Sequence, residues 1–504
     1  MKIFGNEEIK QIERQTLEEE ELTNRDLIIR AAEGVTAEVM ARCRPANPIT
    51  VFAGPGNNGA DALAVAEMLI EQGYDPEIFL FNIRGNSINR DCKFFRDRLI
   101  AGGQARLIEI TDSMEHPELS SRHWVVDGLF GSGLRTNLAG GYKALVRDIN
   151  ESEANVISID IPSGLFPEWN PTTISRNVVH ATVTCAIQFP YPAFFIADNA
   201  PIVGRVKTID IDLSSKAIHA TPSKYNLIDA SDVKGLVKPR DLFSSKADFG
   251  HALLVAGSTG MAGAACLAAS AALRAGTGRV TVYSCRSNRI ILQTAVPEAM
   301  FRNDRAEDMV SEIPVGADYQ AIAIGPGLGI AEQTVNAVET YIKQCRRPLI
   351  IDADALNAIA RRPNLLKLLS PDTILTPHAG EFDRIFGEHH SAEDRLIKAM
   401  DAARTYNIII VLKGRYTATC SPDGMIYFNS TGNPGMAAAG SGDVLTGVIA
   451  AMQANGLSPL DSAIAAVYIH GLAGDIAVRN LDAPIGLTAS DIANTLPKAI
   501  KTVL

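Results

Sequence analysis

The chain has little with which to build a metal cluster or a disulfide framework. Its seven cysteines are scattered, without a CxxC pair or Cys/His ligand spacing. That argues against a zinc module and a disulfide scaffold, and fits buried free thiols in a reducing compartment. An excess of positive charge is missing too: 47 Lys and Arg stand against 57 Asp and Glu, for a net charge of −10. Nucleic acid is therefore not an expected partner, although a local basic pocket stays open. The opening residues, MKIFGNEEIKQIERQ, contain no apolar signal core, and the sequence shows no run of about 18 apolar residues. No membrane partner is expected, and the expected location is cytoplasmic.

What is present is the composition of a globular protein, 46% hydrophobic and 21% charged over 504 residues. That length suits about two to four domains, each burying its own core. Residues 6–42 read as one or two helices rich in Glu and Arg, placed on a partner subunit or on the surface of their own domain. From residue 49 onward, short apolar strands alternate with helices. Strands are expected at 49–53, 77–81, 124–127, 156–160, 182–188 and 204–211. After a connector near 214–223, a second series is expected at 251–256, 279–284, 321–324, 349–352, 373–376 and 408–412. This alternation predicts α/β architecture, with mostly parallel sheets covered on both faces.

The densest chemistry lies in NPGMAAAGSGDVLTG, residues 433–447, which follows a hairpin-like run and opens an apolar helix. Its glycines admit a ligand close to the backbone, and amides 440–443 at a helix N-terminus can hold an anion. There Asp443 would repel a phosphate if binding were its only task. It makes better sense as a base that takes a proton from a hydroxyl attacking phosphorus. A Gly-rich turn with Asp443 as N-cap is the alternative. Other motifs in this half also close strands: GPGLG at 325–329, DADALN at 352–357, TPHAGE at 376–381 and KGRYT at 413–417. In the first half, GPGNNGAD (54–61), Asp127 with the loop GLFGSGLR (128–135), and the run with Asp160 and Ser163 stand at three strand ends. Such ends converge where open parallel sheets bind ligands. Carboxylates, an amide carbonyl and a hydroxyl there suit a hard cation. Each motif also has a local reading: Asn and Asp stabilise turns, Ser163 or His378 can start a helix, and Lys413 can end a strand in solvent. The specific signal is their order, each at a strand end.

The second half resembles the ADP/ATP-dependent NAD(P)H-hydrate dehydratases of the ribokinase-like superfamily. It does so through KADFGHALLVAGSTGMAGAA, GPGLG, DADALN, LTPHAGEF, VLKGRYT and NPGMAAAGSGDVLTG. The first half resembles the NAD(P)H-hydrate epimerases through AGPGNNGAD, VVDGLFGSGL and SIDIPSG. The resemblance implies two three-layer α/β domains, a Rossmann-like parallel sheet over 1–215 and a ribokinase-like sheet over 224–504.

It also implies the chemistry. The first domain would interconvert the R and S hydrates of NAD(P)H, called NAD(P)HX. Asp160 would be the acid–base group, and Asn57, Asn58, Gly59, Ala60, Asp61, Gly131, Ser132, Gly133, Leu134, Arg135, Thr136 and Asn137 would surround the substrate with it. A potassium ion would be held by Asn58, Asp127 and Ser163. The second domain would dehydrate S-NAD(P)HX with ADP and Mg2+, with Asp443 as base. Ala264, Gly329, His378 and Asp443 would contact the hydrate, and Lys413, Gly414, Arg415, Tyr416, Thr417 and Gly442 the nucleotide. A homo-oligomer is the expected assembly. The chain departs from the epimerase pattern at Ala60 and Ala62, which replace glycines and are expected to narrow the approach to the ligand. At Tyr191 the pattern has a lysine, and no proline follows Arg135. Two rivals remain: a small-molecule kinase of the same superfamily, and a first domain that binds without catalysing.

Overall fold

In the computed structural model every residue is described except 86, 115–116, 316–317 and 482. The chain forms two compact units, Ile3–Ser223 and Lys224–Leu504, with Met1 and Lys2 belonging to the second.

The first unit holds seven strands: β1 (Ile49–Ala53), β2 (Glu77–Phe81), β3 (Arg106–Ile110), β4 (Trp124–Gly128), β5 (Asn155–Ile159), β6 (Val183–Ile187) and β7 (Arg205–Ile209). They are all parallel, in the order β3-β2-β1-β4-β5-β6-β7. All five residues of β1 are buried, as expected of a strand covered on both faces. The winding reverses between β1 and β4, so a crevice opens beyond their carboxyl ends. The edge strand β3 has no sequence signature, because Arg106 and Ile108 are exposed and no apolar run results.

The second unit contains β8 (Tyr225–Ile228), β9 (His251–Val255), β10 (Arg279–Ser284), β11 (Met300–Asn303), β12 (Ala321–Ile324), β13 (Ile350–Ile351), β14 (Ile374–Leu375), β15 (Ile409–Leu412), β16 (Ala418–Cys420) and β17 (Ile426–Asn429). They run β8-β17-β16-β15-β14-β13-β12-β9-β10-β11. Among the pairings of these ten strands, those of β16 with β15 and β17 are antiparallel, which gives the expected hairpin. The winding reverses between β9 and β12. Beneath the sheet ends, helix Ala262–Arg274 packs against helix Ser441–Ala454. A Cβ on Gly447 would lie 2.2 Å from the Ala268 carbonyl oxygen, so only glycine permits this approach. Ala265, Ala268 and Ala272 are fully buried. The alanine-rich run therefore fixes the helix whose N-terminus carries the GSGD loop.

The connector near 214–223 ends at the boundary between the units. Within it Ser215–Ala220 is a short helix capped by the Ser214 hydroxyl, and the segment belongs to the first unit. Helix Pro459–Leu481 is long and apolar enough to cross a membrane by length and composition, although polar residues interrupt it and it holds no unbroken apolar run. It packs against helices Ser441–Ala454 and Ala489–Lys501, and 72% of its apolar window is buried within the protein. Core burial accounts for its hydropathy.

Candidate active sites of the two units

A cavity of about 620 Å³ lies beyond the ends of the strands in the first unit. Helix Asn6–Glu20 forms one wall, with Asn6, Ile9, Lys10 and Glu13 facing the cavity at the spacing of a single helical face. The strand ends supply Asn57, Asn58 and Asp61 after β1, residues 129–135 after β4, Asp160 after β5 and Tyr191 after β6. Asp160 has φ 67°, a left-handed conformation uncommon outside glycine and often found at functional sites. Its carboxylate accepts the Ser132 N–H at 3.0 Å and the Tyr191 hydroxyl at 2.9 Å. Burial raises its pKa, and these hydrogen bonds oppose the shift. Asp61 is pushed well above the usual range by burial, then by repulsion from Asp160 and Glu13. Glu13 is pushed up to about 7 by burial, then by Asp160. Burial, followed by the charge of Asp160, also raises the Tyr191 phenol, so it remains a proton donor.

Asn58 is buried, and neither its amide nitrogen nor its amide oxygen has a hydrogen-bond partner. An unpaired buried amide at a cavity is a strong pointer to a missing ligand. Asp127 lies deeper, accepting from the Ser158 hydroxyl at 2.8 Å, the Ser163 hydroxyl at 2.6 Å and the Ser163 N–H at 2.9 Å. Burial raises its pKa against those bonds.

The second unit has a cavity of about 760 Å³ built around a half-buried cation. Lys413, at the end of β15, places Nζ 3.0 Å from Asp352 Oδ1 and 3.7 Å from Glu381 Oε2. Burial opposes its charge, but Asp352 and Glu381 hold its pKa above the usual lysine value. The other oxygen of Asp352 accepts the Thr446 hydroxyl at 2.7 Å. Gly440, at φ 85°, turns the chain into helix Ser441–Ala454, and Asp443 stands in the first turn of that helix. Among the described residues Asp443 makes no hydrogen bond through its side chain. Its pKa is pushed up to about 7 by burial and by Asp352, with Lys413 pulling the other way.

His378 caps helix Ala379–Phe386, and its Nδ1 accepts the N–H groups of Gly380 and Glu381 at 3.0 and 3.3 Å. That leaves the proton of a neutral ring on Nε2. His470 also lines this cavity. Burial pushes its pKa down to about 4, so it is neutral, with Nε2 3.4 Å from the Ser441 hydroxyl. No sequence motif pointed to His470, because it lies in the middle of an apolar helix.

Comparison with known proteins follows the same division. The family described as NAD(P)H-hydrate dehydratase matches residues 252–498, and that described as YjeF-related protein N-terminus matches 24–193. A bifunctional NAD(P)H-hydrate repair enzyme from Moorella thermoacetica is 33% identical over 477 residues, covering 90% of this chain and 88% of that protein. The chain belongs to the bifunctional NAD(P)H-hydrate repair enzymes. Another such repair enzyme, from Thermofilum pendens, is 33% identical across 100% of this chain and 97% of its own length. Among solved structures, an ADP/ATP-dependent NAD(P)H-hydrate dehydratase from Bacillus subtilis, co-crystallised with ATP and Mg2+, is 33% identical. It covers 55% of this chain and 99% of its own, with a TM-score of 0.48.

Most residues expected from the repair family's motifs are brought together. Asn57, Asn58, Asp61, Gly131, Ser132, Gly133, Leu134, Arg135 and Asp160 all line the first cavity, whereas Gly59, Ala60, Thr136 and Asn137 do not. The expectation that Ala60 and Ala62 narrow the approach to the ligand needs correction. Both are fully buried in the apolar core, and the Ala62 methyl packs toward Gly128. Asn137 instead donates to the Thr172 carbonyl at 3.1 Å. In the second cavity His378, Lys413, Gly414, Arg415, Thr417, Gly442 and Asp443 come together. Tyr416 does not line it, and the Arg415 guanidinium lies 4.8 Å from its ring centre. Ala264 and Gly329 are also outside this lining. The Gly329 N–H donates to Asp354 Oδ2 at 2.8 Å, and Ala264 lies close against Gly327.

Proposed function

We propose that the two cavities divide the repair of hydrated NAD(P)H between them. The first interconverts R- and S-NAD(P)HX, and the second dehydrates the S form at the expense of ADP. The observation that carries this reading is Asp443, unpaired at a helix N-terminus whose amides suit a phosphoryl group, in one cavity with half-buried Lys413. The hydrate carries a hydroxyl on C6 of the reduced ring, and hydroxide is a poor leaving group. Asp443 takes the hydroxyl proton while the oxygen attacks the terminal phosphorus of ADP, releasing AMP. The loop amides and Lys413 stabilise charge on the transferring group. Phosphate then leaves with the C6–O electrons, a proton is lost from the adjacent ring carbon, and the double bond re-forms. Magnesium, when bound with the nucleotide, would supply charge neutralisation at its phosphates. Asp352 and Glu381, which line the cavity beside Lys413, are the carboxylates that would face it.

In the first cavity Asp160 is the acid–base group. A potassium ion would draw on the unpaired Asn58 amide, which lines this cavity, together with the Asp127 carboxylate and the Ser163 hydroxyl, which bond to each other, an oxygen set of low charge. Such a set suits a large monovalent ion better than a tightly hydrated magnesium. When bound, the ion supplies fixed positive charge beside the loop that holds the substrate. A reducing cytoplasm and a homo-oligomeric state complete the reading.

Incubation with S-NADPHX and ADP tests the second site. Recovery of the near-ultraviolet absorbance of reduced nicotinamide is expected, whereas a stable phosphate ester would make the unit a kinase. R-to-S conversion measured in potassium and then in sodium tests the first site. Equal rates in the two salts would remove the cation.

A further inference from the structure

We propose that Glu13 is the acid–base partner of Asp160, so that epimerisation is served by one carboxyl group from each of two walls of the first cavity. The proposal rests on reading that cavity as the epimerase site. Epimerisation at C6 breaks a C–O bond on one face of the ring and makes one on the other. The departing hydroxyl takes a proton from one acid and leaves as water, while the ring-nitrogen lone pair closes a C6=N1 iminium. Water then adds to the opposite face and gives its proton to a second carboxylate. The oxygen count is unchanged, and one proton has moved from the first carboxyl group to the second. The pair resets through cavity water or by running in the opposite direction. A single carboxyl group fixed on one wall serves only one face of a ring that stays bound.

The structure supplies two such groups in contrasting surroundings. Asp160 stands beyond β5 with both oxygens already accepting, from Ser132 and Tyr191. Glu13 comes from helix Asn6–Glu20, on the face that turns Asn6, Ile9 and Lys10 to the same cavity. Among the described residues its carboxyl group makes no hydrogen bond, so both oxygens are available to substrate or water. The charged and titratable groups that act on it are Asp160, Asp61 and Lys10, and Tyr191 faces the same space. Glu13, Asp61 and Asp160 line the one cavity from three different elements: helix Asn6–Glu20, helix Asn57–Glu71 and the end of β5. Asp61 is pushed well above the ordinary range by burial, then by Asp160 and Glu13. Glu13, pushed to about 7, exchanges its proton near neutral pH, where general acid–base catalysis is most effective. The unpaired Asn58 amide beside Asp160 is an independent sign that a ligand belongs in this space.

The experiment uses the full-length protein and R-NADPHX. Glu13→Gln is expected to lower kcat for R-to-S conversion on the order of 100-fold. KM should stay nearly unchanged, and Glu13→Asp should restore part of the rate. Dehydration of S-NADPHX with ADP, measured on the same preparation, should match wild type and so report on folding. A Glu13→Gln protein with near wild-type conversion overturns the proposal, as does one whose loss lies only in KM. A wild-type protein that does not convert R-NADPHX at all overturns the reading of the site itself, which is a separate result.

Discussion

The two units share an architecture and differ in where they put positive charge. Each opens its cavity beyond parallel strands, the first where the winding reverses between β1 and β4, the second beyond β13, β14 and β15. In the second unit a half-buried lysine sits among Asp352, Glu381 and Asp443, and a helix N-terminus adds its amides. In the first, Asp160 is held by a neutral amide and a neutral phenol, and the carboxyl groups around it raise one another's pKa values. Concentrated positive charge suits a migrating phosphoryl group. Buried acids that raise one another's pKa, against the smaller opposing charge of Lys10 on Glu13, suit proton exchange with a neutral ring. The difference teaches that one sheet type can host either chemistry, depending on which strand end carries a lysine.

The sharpest way to break the comparison is Asp443→Asn. Dehydration should fall by about 10²–10⁴-fold while R-to-S conversion and nucleotide affinity hold. Near wild-type dehydration would leave the second unit without its base. The pH profile sharpens the same point. Asp443 must be ionised to accept a proton, so kcat/KM for dehydration should rise with pH through about 7 and then level off. The positive charge of Lys413 lowers that pKa, so Lys413→Met should lower the rate and move the rise to higher pH. A rise in the ordinary carboxylate range would show that some other group is the base.

The first unit answers to a smaller change. A lysine in place of Tyr191 would set a positive charge where the phenol now donates to Asp160 at 2.9 Å. That favours ionised Asp160 against the burial that raises its pKa. Tyr191→Lys should therefore speed R-to-S conversion a few-fold and extend it to lower pH. A variant no faster than the parent protein would mean that the tyrosine already does what a lysine does elsewhere. Tyr191 is fully buried and packs edge-on against Phe194, so thermal melting must accompany the assay to separate rate from stability.

These contrasts were legible in the sequence to different depths. Motifs at strand ends and at the GSGD loop pointed to Asp160, Lys413 and Asp443, which line the two cavities, because a parallel sheet brings its carboxyl ends together whatever the chain separation. The partner of Lys413 was harder to see. Asp352 lies 61 residues away and was visible only as part of a motif, and Thr446, which holds its other oxygen, had no motif role. Glu13 was hidden among the glutamates of an exposed-looking helix, where periodicity marks the face but not what covers it. Ala60 misled because a substitution within a Gly-rich loop reads as facing the ligand, whereas its methyl faces the core. Edge strand β11 escaped because its exposed residues break the apolar pattern.

The smallest expected effect comes from separating the units. Residues 224–504 hold the whole second sheet from β8 onward, the alanine-rich helix pair and every residue lining the second cavity. The cut removes one piece of that unit, Met1 and Lys2. In the full chain the Met1 amine donates to the Leu227 carbonyl at 2.7 Å and lies 3.2 Å from Asp232. The Leu227 N–H in turn donates to the Met1 carbonyl at 2.8 Å. These contacts sit at an edge strand, and an exposed ion pair of this kind contributes about 0–1 kcal/mol. None of them touches Asp443, Lys413 or the GSGD loop. The fragment should therefore dehydrate S-NADPHX with ADP at close to the full-length rate, and melt only a few degrees lower, about 2–4 °C for a loss of 1 kcal/mol. An insoluble fragment, or a soluble one that binds ADP but does not turn over, would show that the second site depends on the first unit. The contrast drawn above would then belong to the whole chain and not to its parts.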